Sequence, residues 1–234
     1  MKYALMGLAL LPGMAVAQFA PPPGCEVTLT AQERGCAVDH IVVCEALPDG
    51  HQWHFTLTGN GGWQASLIDG DTNWVRTLAA GGFERTLDES SRDPSDFDAL
   101  LSTGRDDCDF VTHDSTGVKT RYIGYDALTG DSVNIDGQTL LVTEFDMRAF
   151  SEDGTETRHV TGTQFASKVL RRFYGGTHTN EVDGDTFVTE HGPVEFYYPG
   201  QPGFSSDIPK YDCEASEASA QAMTLPPTYL EVSQ

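Results

Sequence analysis

The sequence predicts an all-β protein: an antiparallel meander forming a strongly curved sheet, a barrel or a half-barrel, with one short amphipathic helix at about 94–103. Three observations predict it. Apolar and polar residues alternate with period two along much of the chain, as in "HQWHFTLTG" (51–59), where Trp53, Phe55 and Leu57 share one face. Asp-Gly turns recur between such runs, at 69–70, 136–137, 153–154 and 183–184. Asx-Gly favours the two-residue type I′ hairpin, whose central positions both need positive φ. One segment stands out with helical spacing instead.

The elements follow in order. Residues 1–17, "MKYALMGLALLPGMAVA", carry one early lysine, a short apolar run and a small-x-small end. That is the pattern of a secretory signal peptide cleaved near Ala17, with the mature chain in the periplasm or outside the cell. The run is shorter than the roughly 20 apolar residues a bilayer requires, and no other segment is apolar enough to span. Residues 18–213 are expected to form a single β-rich domain. "EVTLT" (26–30) and "AVDHIVV" (37–43) read as strands joined at "QERG"; "WQASLI" and "TNWVRTL" read as two more around "DGD" (69–71).

In "DPSDFDALLSTG" (93–104), Asp93 is placed to cap a helix, Pro94 to begin it and Gly104 to end it. Phe97, Leu100 and Leu101 fall on one stripe, so the helix should lie against the sheet or close one mouth of a barrel. Strands then resume: "CDFVTH", "VKTRYIGYD", "DSVNID", "TLLVTEFDMRAF", "TRHVTGTQF", "KVLRRFYGG", "DTFVTE" and "PVEFYYPG". About a dozen strands are too many for a flat sheet without curling. Residues 214–234, rich in Ala, Ser and Glu and then Pro-Pro, are expected to be a disordered tail. This order of signal, meander and single helix is similar in architecture to periplasmic carriers of the lipoprotein-carrier type, whose curved sheet wraps around helices. A shared architecture does not by itself define a function.

All five cysteines follow the signal, and an exported chain meets an oxidising compartment, so disulfides are expected. Cys36 and Cys44 would sit about 26 Å apart along a straight strand at roughly 3.3 Å per residue. A disulfide needs Cα atoms within about 7 Å. Cys25 and Cys36 lie at opposite ends of the first hairpin and are excluded likewise. The expected pairs are Cys25–Cys44 at its open end and Cys36–Cys213 tying the C-terminal segment to it. Cys108, among the aspartates of "RDDCDF", is left as the free thiol, and those aspartates disfavour a nucleophilic thiolate.

The chain has 35 acidic against 14 basic residues, a net charge of −21. Such a field repels phosphate backbones and anionic membrane surfaces, which disfavours nucleic-acid and membrane-surface roles. No cofactor fingerprint, phosphate loop, nucleophile elbow or zinc spacing is present. "DGDTN" (69–73) imitates the start of a calcium loop, but Trp74 and Ala80 stand where an EF-hand needs Gly and Glu, so no metal site is expected.

The densest polar grouping lies in "EFDMRAFSEDGTETRHV" (144–160). With Asp153-Gly154 as a two-residue turn, Phe150 falls opposite Thr157, Arg148 opposite His159, Asp146 opposite Thr161 and Glu144 opposite Thr163. One face then carries Glu144, Asp146, Arg148 and His159; the other carries Phe145, Met147 and Val160. Histidine is the side chain suited to proton transfer near neutral pH, so His159 with Glu144 or Asp146 is a candidate general acid or base, and Arg148 a candidate anion-orienting group. The competing reading is a solvated sheet face.

Three functions remain open. The first is a non-enzymatic binding or carrier domain for an apolar or amphipathic ligand on the concave side of the sheet. The second is a structural or accessory protein of the cell envelope that meets protein partners through its surface. The third is an extracytoplasmic hydrolase using His159. Thiol counting on unreduced protein is expected to find one free cysteine; three or more would overturn the disulfide pattern.

Overall fold

A computed structural model describes residues 18–213; the expected signal peptide (1–17) and tail (214–234) lie outside the described residues. The first strands are β1 (Cys25–Glu33), β2 (Ala37–Cys44), β3 (Gln52–Thr58), β4 (Trp63–Ile68), β5 (Trp74–Ala79) and β6 (Phe83–Leu87). A single helix, α1 (Phe97–Thr103), precedes β7 (Arg105–Asp114), β8 (Lys119–Ile135), β9 (Gln138–Phe150) and β10 (Glu156–Ser167). The last are β11 (Arg172–Tyr174), β12 (Thr177–Val182), β13 (Asp185–Glu190) and β14 (Pro193–Tyr197). No helix among the described residues is long and apolar enough to cross a membrane.

All fourteen strands belong to one antiparallel sheet. Neighbours in sequence pair from β1 to β10; β12 and β13 extend one edge, β11 pairs off β10, and β14 returns to pair with β1 at the other edge. Only His191 and Gly192 separate β13 on one edge from β14 on the other. Three peptide steps reach at most about 11 Å at roughly 3.6 Å each, so the sheet must roll until its edges come together. No ladder joins β13 to β14, and the roll stays curved rather than closed.

The roll overlaps itself. Register carried strand by strand puts Asp39 of β2 on the same, concave face as Phe110 of β7 and Phe145 of β9, whereas Arg172 of β11 and Leu140 of β9 lie on the convex face. Yet Arg172 Nη2 donates to Asp39 Oδ2 at 2.8 Å, and Leu140 packs with Leu29, Ala31 and Ile41. The concave side of β1–β3 therefore wraps the convex side of β9–β11, like a scroll. A second apolar cluster, with Trp53, Phe55 and Leu67, covers the opposite face of β2–β5 beneath Phe19 and Leu47.

This overlap explains why the polar face of β3 is not wet. Gln52 donates to the Leu170 carbonyl at 2.9 Å, and His54 Nδ1 lies 2.9 Å from Arg172 Nη2. Burial, with the Arg172 charge beside it, holds His54 well below its usual range, so its Nδ1 accepts from the guanidinium. Thr56 donates to the other Asp39 oxygen at 3.1 Å, and the Arg172 guanidinium stacks on Tyr174. Arg172 is 1 % exposed.

The disulfides are Cys25–Cys44 across the β1–β2 ladder and Cys36–Cys213. The second ties the C-terminal segment over β1, where Ser205 N donates to Thr30 Oγ1 and Gln32 donates to the Ile208 carbonyl.

Several elements depart from the sequence expectation. The helix starts at Phe97 with Asp96, not Asp93, as its cap: Asp96 Oδ1 accepts from Ala99 N at 2.8 Å. Asp93 is extended instead, bridging Asp109 through both backbone groups, a conformation that the following Pro94 favours. Gly104 ends the helix at φ 86°. "VKTRYIGYD" and "DSVNID" are one long strand, β8, with an irregularity between Leu128 and Ser132. The stretch 168–176 supplies only the three residues of β11, because Arg171 turns at φ 48°. β6 and β12 were not foreseen. Asp136-Gly137 and Asp183-Gly184 have positive φ at both residues, as type I′ turns do. At 153–154 only Gly154 does, and Ser151 accepts from Gly154 N, so this loop is longer by one residue.

Removing one partner of a buried ion pair leaves the other charge uncompensated. Arg172→Ala is expected to destabilise the fold by about 3–5 kcal/mol, read from urea unfolding.

Candidate functional site

The β9–β10 register sets Arg148 opposite His159, Asp146 opposite Thr161 and Glu144 opposite Thr163. The one departure is near the turn, where Glu156 rather than Thr157 faces Phe150, a consequence of the longer loop. The polar set comes together on the convex face as an ion-pair ladder. His159 Nε2 lies 3.0 Å from Asp146 Oδ1, and its Nδ1 lies 3.4 Å from Glu181 Oε2. Arg148 Nη1 donates to Glu156 at 2.9 Å, and Glu144 is exposed. Both ring nitrogens of His159 are thus engaged by carboxylates, and none of Glu144, Asp146, Arg148 and His159 lines the cavity on the other face.

That cavity has a volume of about 250 Å³ and is bounded by the concave sides of β5–β12. Its apolar lining comes from Trp74, Phe110, Tyr122, Phe145, Met147 and Phe173. The ladder orders the walls into rungs. Tyr122, Ala149 and Arg158 make one rung; Met147 and Val160 lie on the next; Asp126, Phe145, Gly162 and His178 lie beyond; Thr143 and Gln164 follow. At the far end α1 plugs the roll, with Phe97 and Leu100 packed on Ala166, Leu141 and Phe173.

Two glycines let the wall bend here. A Cβ on Gly124 would run into the Asp146 carbonyl, and one on Gly162 into the Thr177 carbonyl. Glycine inside a strand marks such tight bends.

Arg171 holds the plug. Its guanidinium donates to Asp98 of α1 at 2.6 Å, to Asp71 at 3.0 Å and to the Gly70 carbonyl at 2.7 Å. Ser95 N donates to Asn73 Oδ1, fastening the helix entry to the same β4–β5 turn. The opening "DGD" is therefore turn chemistry: Asp69 Oδ1 accepts from Asp71 N and Asn73 N. Adjacent Arg171 and Arg172 point apart, and neither lines the cavity.

The charged groups inside were not foreseen. Arg85 Nη1 donates to the Tyr122 hydroxyl at 3.0 Å, with its guanidinium 5.4 Å above the Trp74 ring. Arg158 Nη2 donates to Asn180 Oδ1 at 2.6 Å. His178, in β12, meets Phe145 edge-on and lies 5.7 Å from His191. Burial, with His191 and Arg158 adding, lowers His178 to about 4. The available signal was a charged residue at an apolar position of the alternation, as Arg158 is two residues before Val160. Cys108 is buried on this concave side; burial, then Asp126 and Asp106, push its thiol up to about 12, so it is no nucleophile.

Comparison with family models, with curated proteins and with solved structures finds no match for this chain.

Asp126 faces Asp106 across the β7–β8 ladder. Burial, with the Asp106 charge adding, raises Asp126 to about 7; burial also raises Asp106, which has Asp96 and Asp93 near it. An unfolded aspartate titrates near 4. Between about pH 4 and pH 7 the native state thus binds more protons at Asp126 than the unfolded chain, and this group's contribution falls as pH rises. Asp126→Asn is expected to remove that slope and to stabilise the protein at pH 8 by on the order of 2–4 kcal/mol, measured by denaturant unfolding at pH 5 and pH 8.

Proposed function

We propose that the chain is an exported binding or carrier domain that holds an apolar or amphipathic small molecule inside the rolled sheet. The observation that carries this reading is the cavity of about 250 Å³, walled by aromatic side chains and Met147 with a few convergent polar groups. Small-molecule sites commonly combine such an apolar lining with sparse, placed polar atoms. Export agrees with two disulfides, which persist in an oxidising compartment. The hydrolase reading has less support: His159 and its carboxylates sit on the convex face, tied in ion pairs, away from any ligand held in the cavity.

Met147→Trp fills the middle of the cavity. It is expected to abolish the fluorescence enhancement of N-phenyl-1-naphthylamine seen with the parent protein, while circular dichroism stays all-β. His159→Gln and Asp146→Asn, on the other face, are expected to leave that enhancement unchanged. No enhancement with the parent protein would overturn the proposal.

A further inference from the structure

Resting on the binding reading above, we infer that the ligand is an anionic amphiphile whose carboxylate-like head is held by Arg85 and Arg158, with its apolar body directed toward α1.

The first support is which arginines lack a carboxylate. Every arginine in the described residues other than these two lies within ion-pair distance of a carboxylate. In a chain with 35 acidic and 14 basic residues, an arginine without a carboxylate is the exception. Both exceptions line the same apolar cavity. Their protein hydrogen bonds are to neutral acceptors, the Tyr122 hydroxyl and the Asn180 amide. Arg85 Nε is buried without a protein partner, as is Nε2 of His178. A buried donor left unpaired costs about 1–3 kcal/mol, which an accepting ligand would offset.

The second support is position. Tyr122 and Arg158 share a rung, and Arg85 reaches that rung through the Tyr122 hydroxyl. Arg158 is exposed, so this end is open to solvent. The opposite end is stopped by α1 and Phe173. A cationic mouth, a wall in which Phe110, Phe145, Met147 and Val160 stand beside Asp126, Gln164 and His178, and an apolar floor suit a head-and-tail molecule entering tail first. Guanidinium is the side chain best shaped for a carboxylate, which it can bind through two parallel hydrogen bonds. The acidic exterior does not bar such a ligand, because salt screens charges beyond roughly 8–10 Å while partly buried pairs are screened much less.

The test is isothermal titration of the unreduced protein with octanoate, octan-1-ol and octylammonium. Octanoate is expected to bind at least about tenfold more tightly than either of the others. Arg158→Gln and Arg85→Gln are each expected to weaken octanoate by about ten- to a hundredfold, as loss of a charged hydrogen bond implies, and to leave octan-1-ol unchanged. Arg158→Glu, at an exposed position, is expected to reverse the preference toward octylammonium, with circular dichroism unchanged. Equal binding of octanoate and octan-1-ol, or octanoate binding unmoved by these variants, overturns the anionic head while the naphthylamine result leaves the cavity reading standing. Failure of all three octyl compounds also overturns it; if naphthylamine fails as well, the cavity reading falls with it.

Discussion

Arg172 and Asp39 meet where one layer of the sheet crosses another, and the rolled architecture depends on that meeting. A long antiparallel meander has no intrinsic reason to overlap itself. Here the concave side of β2 is given a buried carboxylate, and the convex side of β11 a buried arginine. Neither charge is tolerable in the interior alone, since each loses several kcal/mol of hydration. Together, with His54, Thr56 and the Tyr174 ring around them, they make one overlap acceptable and slipped overlaps costly. Such a pair adds little net stability over apolar residues of the same volume.

From that overlap the rest follows. Once β9–β11 are covered on their convex side, their concave side is left facing β5–β8 across the roll. The bends at Gly124 and Gly162 tighten that curvature, and α1 fills one end. Arg171, next in sequence to the registering arginine, fastens the plug to the β4–β5 turn. Two adjacent residues on opposite sides of a strand end therefore act on the two structural problems of the fold, the overlap and the plug.

The β9–β10 hairpin shows how one alternation produces two surfaces of different character. On the convex side, Asp146, Arg148, Glu156 and His159 satisfy one another in water, where exposed pairs of this kind contribute little. On the concave side, Phe145, Met147 and Val160 face a cavity in which Arg158 finds only an amide. Of the arginines in the described residues, the two without a carboxylate, Arg85 and Arg158, both face this cavity.

The sequence by itself determined what is local. Period-two alternation, Asx-Gly turns and the Phe97–Leu100–Leu101 stripe specify strands, hairpins and a helix, because each depends on neighbours a few residues apart. Hairpin geometry narrowed the disulfides for the same reason. Even locally, Asp93 was misjudged as a cap, since its bridge to Asp109 competes with helix formation. Only the tertiary structure decided which polar residues are dry. Gln52 and His54 alternate with Trp53 on the polar side of a strand, yet the scroll covers them; Arg85, Asp126 and His178 lie far apart in the chain, and only curvature brings β6, β8 and β12 around one space. Alternation tells a residue's side of the sheet, but whether that side meets water depends on how far the sheet rolls, and that is set by contacts more than a hundred residues apart, such as Asp39 with Arg172.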